Sequence, residues 1–363
     1  MVIGAGPAGC IIAKRLAENG LKVVLIEKCK LPRNKSCSGV LIKRSKELVE
    51  RYVGKIPEAV TCAPAATRGI VIKTETGKEH AFGDDGLNIW RERFDYWLTE
   101  QAVSHGAELL DSAVVTEFAE QSGALTLAIR QGDRDFKING RVAIACDGVN
   151  GASRSKLGIE GFPKIITYQA FYRGTAKFDP HCFYAFLDSK LSEYDAWANI
   201  KDDRLFLGVG VRRARNATEY LRRFIDYLSV EYGLRLQEKL GEEYWALPVI
   251  VPDFDLTFRS GRVFFAGEAA GLLNPLGEGI SGALISGLAF AETILKSYPA
   301  QPWNVDEIHQ NYQLKLKPEV EHMKRQWVLL DQLSPGFWDK VRRSPDGGGK
   351  PRPAGWKETD IFG

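Results

Sequence analysis

The chain holds 363 residues, 44% of them hydrophobic and 26% charged, with a formal net charge of +3. That is the composition of a globular protein of about two domains, and the charge is too small to argue for a nucleic-acid partner. The six cysteines (Cys10, Cys29, Cys37, Cys62, Cys146 and Cys182) form no C-x-x-C pair, so neither a zinc ribbon nor a disulfide framework is indicated, no metal is expected, and a reducing, cytoplasmic compartment is the simplest reading. No apolar run is read as reaching transmembrane length and no signal peptide is expected. Only three residues stand before Gly4, so a few more are expected upstream of this first strand.

Met1-Val2-Ile3 reads as the end of a buried strand, and Gly4-Ala5-Gly6-Pro7-Ala8-Gly9 matches G-x-G-x-x-G. Cys10 to Gly20 has the apolar spacing of a helix closed by glycine. Leu21 to Ile26 is a second apolar strand with Glu27 at its tip. This is a β-α-β unit for a dinucleotide. Gly4 permits the tight turn, Gly6 lets backbone approach a pyrophosphate, and Gly9 lets helix and strand pack closely. The helix N-terminus offers N–H groups and partial positive charge to phosphates. Glu27, about 20 residues on, is placed to accept from an adenosine ribose and would repel a 2′-phosphate, which disfavours NADP. Lys28 stands beside it as a further cofactor contact.

The basic stretch Lys30 to Gly39 reads as a loop in which Arg33 or Lys35 could meet phosphate or ribose. Cys37 is expected at the start of a helix, Val40 to about Tyr52, where the helix terminus would lower its thiol pKa. Arg68 to Phe82 reads as a hairpin around Thr-Glu-Thr-Gly. A helix is expected from Asn88 to about His105, then a strand at Gly106–Leu110 and a small antiparallel sheet near 114–119, 125–130 and 135–138. Arg141 to Cys146 is an apolar strand ending in Asp147-Gly148, with Ser153-Arg154 beyond; an acid at a strand tip points into the crevice where α/β ligands bind.

From Ile165 to Val211 the period changes to two, with aromatic-rich antiparallel strands at 168–174, 182–187, 194–198 and 204–210. Their aromatics, Tyr184, Tyr194 and Trp197 among them, pack a sheet face or wall a substrate pocket. Asn216 to Tyr232 reads as an amphipathic helix and Tyr244 to Ile250 as one more strand. Gly261 to Ala266 is a buried strand ending in Gly267-Glu268. Asn274-Pro275-Leu276-Gly277-Glu278-Gly279-Ile280 then opens a helix that runs to about Lys296. Its G-x-G-x-x-G follows Asn-Pro rather than a strand, so it is no second nucleotide fingerprint, but it presents N–H groups suited to developing negative charge. Trp303 to about Leu333 is helical, and the tail from Ser344 is a loop.

Three separated stretches, Gly4–Gly9 with Glu27, Asp147-Gly148 with Ser153-Arg154, and Gly267-Glu268 with Pro275 and Gly277–Gly279, together resemble the FAD-dependent oxidoreductases of the para-hydroxybenzoate hydroxylase fold. Within them the chain is most similar to the geranylgeranyl reductase family. Pro32-Arg33-Asn34-Lys35-Ser36-Cys37-Ser38-Gly39 resembles that family's Pro-Arg-x-Lys-x-Cys-Gly-Gly loop, and Arg91-Glu92-Arg93-Phe94-Asp95-Tyr96-Trp97-Leu98 its Arg-x-x-Phe-Asp-x-x-Leu helix. The resemblance implies an α/β fold: a discontinuous Rossmann-like FAD-binding domain (1–65, 91–160 and 256–298), an antiparallel-sheet substrate domain (66–90 and 161–255), and a C-terminal helical segment and tail (299–363). It implies that Gly4, Gly6, Gly9, Glu27, Arg91, Asp147, Gly148, Gly267 and Glu268 hold FAD. Pro275 and Gly277 to Ile280 would face the flavin ring, with Cys37 on the substrate side. Three departures stand out: Glu268 replaces an Asp, Ser38 replaces a Gly, and the Tyr-x-Trp-x-Phe-Pro-Lys motif survives only at Tyr194, Trp197 and Lys201, with Asn199 and Ile200 in place of Phe-Pro.

The implied activity is reduction of carbon–carbon double bonds in an apolar, isoprenoid-like substrate. NAD(P)H, ferredoxin or another redox protein would be the electron donor, and a lipid substrate would bring loose membrane contact. The alternatives are a FAD-dependent monooxygenase of an aromatic or other small apolar molecule and a flavoprotein electron-transfer module without a substrate. A flavin halogenase is disfavoured by the absence of Trp-x-Trp-x-Ile-Pro, of which Trp245-Ala246-Leu247-Pro248 is a faint echo.

Overall fold

Short apolar strands that end in glycine corners build the first sheet. The computed structural model describes residues 1–249, 256–299, 303–337 and 339. In chain order the elements begin with β1 (Val2–Ile3), α1 (Pro7–Ala17), β2 (Val24–Ile26), β3 (Val40–Leu41), α2 (Lys43–Tyr52), β4 (Thr61–Ala66), β5 (Gly69–Thr74), β6 (Glu79–Gly83), β7 (Leu87–Ile89) and α3 (Arg91–Ser104). There follow β8 (Glu108–Leu110), β9 (Ala113–Gln121), β10 (Ala124–Gln131), β11 (Arg134–Gly140), β12 (Ala143–Ala145), α4 (Ser153–Lys156), β13 (Lys164–Thr175), β14 (Cys182–Leu187), β15 (Ala196–Lys201) and β16 (Arg204–Val211). The last are α5 (Ala217–Glu231), β17 (Arg235–Pro248), β18 (Arg259–Ser260), β19 (Val263–Phe265), α6 (Ile280–Ser297) and α7 (Val305–Leu333).

The first sheet has the order β18-β19-β12-β1-β2-β8 and is parallel except at β18. Val2 lies opposite both Ile144 and Leu25, and Ala143 opposite Val263. Three strands far apart in sequence, β1, β12 and β19, therefore end side by side. Their carboxyl ends carry Gly4, Asp147 and Gly267 to one edge, where open α/β sheets bind ligands. Each strand is buried, as expected for a parallel sheet covered on both faces. A seven-stranded sheet, β17-β13-β16-β15-β14-β5-β6, stands beside it, with the meander β11-β10-β9 and the small sheet β3-β7-β4. Phe186, Leu207, Val209 and Val211 of the large sheet pack under Leu221, Phe224 and Leu228 of α5 as a second core.

Several elements differ from the sequence expectation. Val40 and Leu41 pair with Leu87 and Asn88 as a strand, and the helix starts only at Lys43, capped by Ile42. Cys37 thus lies in a loop ahead of a strand rather than at the start of a helix. The expected helix from Asn88 likewise begins at Arg91, because Leu87–Ile89 is strand. In the substrate sheet β14 runs parallel to β5, not antiparallel. β17 starts at Arg235, well before the expected Tyr244, because β13 is long enough to pair it from Lys164 to Thr175; Ile250, expected at its end, and the tail from Ser344 lie outside the described residues.

Against the expectation that no run reaches transmembrane length, α6 is long and apolar enough to cross a bilayer by composition; most of it is buried inside the protein. Its Gly287 packs on Ala8 and Ile11 of α1. Gly9 performs the matching close approach, since a methyl there would collide with the Gly4 carbonyl. Gly9→Ala should therefore cost about 1–3 kcal/mol of stability, read as a lowered urea midpoint, whereas Gly161→Ala, with nothing within 4 Å of the new methyl, should leave the midpoint in place.

Candidate active site

Gly4 turns the chain off β1 with a φ of +103°, and a side chain there would strike the Cys146 backbone. Gly6 caps α1 with no side-chain bond of its own, and a Cβ on it would meet only Arg33 Nη2, at 3.9 Å. The first N–H groups of α1 thus face open space, the arrangement that receives an anion. Glu27 closes this corner: it is 4% exposed, and its carboxylate accepts from Ala5 N at 2.9 Å and Cys29 N at 3.0 Å. Arg33 stands between Glu27 (Nε, 3.4 Å) and Asp95 (Nη1, 3.2 Å). Asp95 in turn receives two 3.0 Å bonds from Arg91, whose guanidinium also bonds the Cys37 thiol.

The second corner holds Asp147, which accepts from Ser153 N at 3.0 Å and Ser153 Oγ at 2.8 Å. Burial raises its pKa against those bonds. At the third corner burial would raise the Glu268 pKa, but Lys35 at 3.3 Å, together with Arg91, holds it below the usual carboxylate range. Beyond it, Asn274 Oδ1 accepts from Leu276 N at 3.0 Å and Glu278 N at 2.9 Å, fixing the turn that leads into α6. Burial raises the pKa of Glu278, although Ser281 and Ser45 bond its carboxylate.

A cavity of about 480 Å³ joins these corners to the seven-stranded sheet. Its floor is built by Gly4, Gly6, Glu27, Lys28, Asp147, Gly148, Gly267 and Glu268, and its far end by Gly277, Gly279 and Ile280. The opposite wall is apolar and aromatic: Ile70, Phe183, Trp197, Trp245 and Leu247. Cys37 lines the cavity from the loop between them, as do Arg91 and Tyr194.

Three expected site residues lie elsewhere. Gly9, in the first turn of α1, packs on the Gly4 carbonyl and Val2, as its spacing implied, and does not reach the cavity. Pro275 does not line it either, and its carbonyl accepts from the Tyr194 hydroxyl at 3.0 Å. Tyr184 belongs to the second core, against Phe178 and Tyr232, and its hydroxyl accepts from Asp179 N at 3.0 Å. The alternation of β14 turns it away from the cavity, to which Phe183 turns instead. Arg91 lines the cavity, but its charge is already engaged by Asp95.

Gln169, Asp195 and Trp245 line the cavity without having been singled out as site residues. Sequence offered a usable signal: alternate positions of paired strands share one face, so Trp197 brings Gln169 and Trp245 with it once the pairing of β13 is known. Two residues of this motif segment, one a departure and one retained, act on the cysteine loop. Asn199 Nδ2 donates to Ser38 O at 3.3 Å. Lys201 is fully buried, donates to Ile89 O at 2.8 Å, and lies behind Gly39, whose φ of +71° leaves no room for a side chain.

A model of the FAD binding domain family matches residues 1–229. The chain is 27% identical over 311 residues to digeranylgeranylglycerophospholipid reductase 1 of Methanopyrus kandleri, covering 82% of this chain and 80% of that one. It is 27% identical over 309 residues to geranylgeranyl diphosphate reductase of Rhodobacter capsulatus, covering 81% and 74%. Among solved structures, a geranylgeranyl bacteriochlorophyll reductase-like protein of Thermoplasma acidophilum superposes with a TM-score of 0.77 at 20% identity, covering 94% of this chain and 89% of that one. The flavin-dependent halogenase CmlS superposes with a TM-score of 0.72 at 18% identity, covering 95% and 68%.

The Lys35–Glu268 pair has a testable pH signature. The Glu268 pKa is lower in the folded than in the unfolded chain, so its contribution to stability is present above the unfolded value of about 4.5 and is lost as pH falls through the folded one. Lys35→Gln should cost about 1–3 kcal/mol at neutral pH, because it leaves a largely buried carboxylate without its partner, and the gap between variant and wild type in thermal unfolding should close as the solution is acidified below pH 4.5.

Proposed function

The chain belongs to the FAD binding domain family and is a FAD-dependent oxidoreductase, and from that premise we propose that it reduces carbon–carbon double bonds of an apolar, isoprenoid-like substrate. The observation that carries this reading is the cavity itself: one end has the glycine corners of a dinucleotide site, and the other has the apolar wall of Trp197, Trp245, Phe183 and Leu247. The names of the relatives in Methanopyrus kandleri and Rhodobacter capsulatus support it.

The residues present fit FAD. Gly6 leaves an open floor that a side chain would fill, the α1 N-terminus is uncapped, and the Glu27 carboxylate is held at the strand tip by two amides. Gly4 and Gly6 then take the pyrophosphate, with Gly9 setting the depth of the helix, and Glu27 and Lys28 take the adenosine ribose. Asp147, Gly148, Gly267 and Glu268 line the cleft at the ribityl chain. Gly277, Gly279 and Ile280, with the α6 N-terminus behind them, hold the ring, and Pro275 anchors that turn to Tyr194. When bound, FAD supplies the hydride. The aromatic wall excludes water from the reacting carbons, and Trp197 with Tyr194 positions them. Cys37, held by Arg91, faces them from the loop side. In this division 1–65, 91–160 and 256–298 carry the cofactor and 66–90 with 161–255 the substrate. Electrons come from NAD(P)H, ferredoxin or another redox protein, and a lipid substrate brings the protein to a membrane surface.

Two measurements test this. Purified protein should be yellow, and Gly6→Val should fold normally yet bind FAD at least ~10-fold more weakly, roughly 1.4 kcal/mol; an unchanged affinity would remove the pyrophosphate from this corner. The reduced holoenzyme, given a panel of prenyl lipids, should add about two mass units per double bond, one H2 each. No gain across the panel refutes the substrate class, and an oxygenated product with substrate-stimulated NAD(P)H oxidation identifies a monooxygenase instead.

A further inference from the structure

Register places one carboxyl group on the apolar wall of the cavity. Gly210 N donates to Asp195 O at 2.8 Å, and Thr167 pairs with both Gly210 and Trp245. Asp195, Gly210, Thr167 and Trp245 therefore form one row across four strands, with Trp197, Gly208, Gln169 and Glu243 as the next. The two glycines leave hollows: the Trp197 indole lies over Gly208, and the Asp195 carboxyl lies over Gly210, beside Ile165. Ser192 Oγ also donates to Asp195 O, at 2.7 Å, so the backbone that carries this carboxyl is fixed from two sides. Next to it, Tyr194 is tied to the Pro275 carbonyl of the turn ahead of α6.

The Asp195 side chain faces the cavity, and among the described residues the only hydrogen bond that acts on its acidity is from its own backbone amide. The groups around it are otherwise engaged. The Tyr194 phenol donates to Pro275 O, Gln169 bonds Glu243 and receives Trp197 Nε1, Glu193 accepts from Arg212 N, and Glu278 accepts from Ser281 and Ser45. Of the cationic cavity residues, Lys35 is matched by Glu268, Arg91 by Asp95, and Arg33 by Glu27 and Asp95, while the charge of Lys28 acts on Asp147. No cation among the described residues is paired with it, and burial pushes the Asp195 carboxyl up to about 7.

We propose that Asp195 is the acid that protonates the substrate during double-bond reduction, which rests on the reductase reading above. One alkene carbon receives a hydride, with both its electrons, from reduced FAD as the π bond breaks. The other carbon takes the proton from the Asp195 O–H, leaving a carboxylate that water reprotonates. The alkene is reduced and the flavin oxidised, and the proton count closes.

The test uses the holoenzyme. In the oxidised, substrate-free protein the infrared carbonyl stretch of a protonated carboxylic acid should titrate near pH 7, and that component should vanish in Asp195→Asn while FAD content and visible spectrum stay the same. An infrared titration identical in the variant overturns the proposal. In single turnovers of the reduced enzyme, Asp195→Asn should slow substrate reduction by about 10²–10⁴-fold, with partial recovery in Asp195→Glu. The wild-type rate should fall as pH rises through the carboxyl's pKa, and this dependence should be absent from the Asn variant. A variant with wild-type rate and pH profile also overturns it. If the wild type reduces nothing in the prenyl panel, the substrate reading fails, while the infrared experiment still decides whether Asp195 holds its proton.

Discussion

Four charges, three of them buried and one half-buried, tie the nucleotide half of this protein together. Glu27 and Asp95 are 4% and 1% exposed, and burying a carboxylate that deeply is costly unless it is paired. Arg33 lies between them, and Arg91 clamps Asp95 from the other side, so two cations meet two anions in a closed set. Removing any one member would leave an uncompensated buried charge, which is far costlier than the set itself is stabilising. Through these contacts the β1–α1 turn, the tip of β2, the cysteine loop and α3 are held in one arrangement.

The cavity inherits its shape from that arrangement. Because Arg33 is held by Glu27 and Asp95, the loop that carries Lys35 and Cys37 lies over the cavity: Lys35 meets Glu268, and Cys37 meets Arg91. From the far side the same loop is met by Asn199 on Ser38 and by Lys201 behind Gly39. The cysteine loop is therefore clamped between the two large sheets, and polar contacts of each sheet set where its thiol stands. The cavity has a charged, glycine-lined floor and an aromatic wall, the combination that holds a polar cofactor against an apolar substrate.

Much of this was legible in the chain. The glycine corner with its acid, the hairpin of β5 and β6, the meander of β9 to β11, and α5 to α7 all follow from local periodicity and turn chemistry, because each depends on residues close in sequence. The three strands that carry the corners were recognisable for the same reason. Two kinds of expectation failed. Cys37 reads as a helix start because Val40 and Leu41 suit a helix as well as a strand, and only their partners in β7 decide between the two. Tyr184 reads as a pocket residue because an aromatic strand does not announce which face meets the core. A shift of one position exchanges Tyr184 for Phe183.

The sequence by itself determined the nucleotide corner, since a glycine that admits backbone and an acid at a strand tip act through their own covalent geometry. Tertiary structure alone decided how the charges pair and which side chains look into the cavity. Arg91 spends its guanidinium on Asp95, and burial against the cavity wall pushes the Asp195 carboxyl up. Both outcomes are set by distances between residues remote in the chain, and electrostatic energy depends on those distances and on the solvent they exclude, neither of which a string of residues contains.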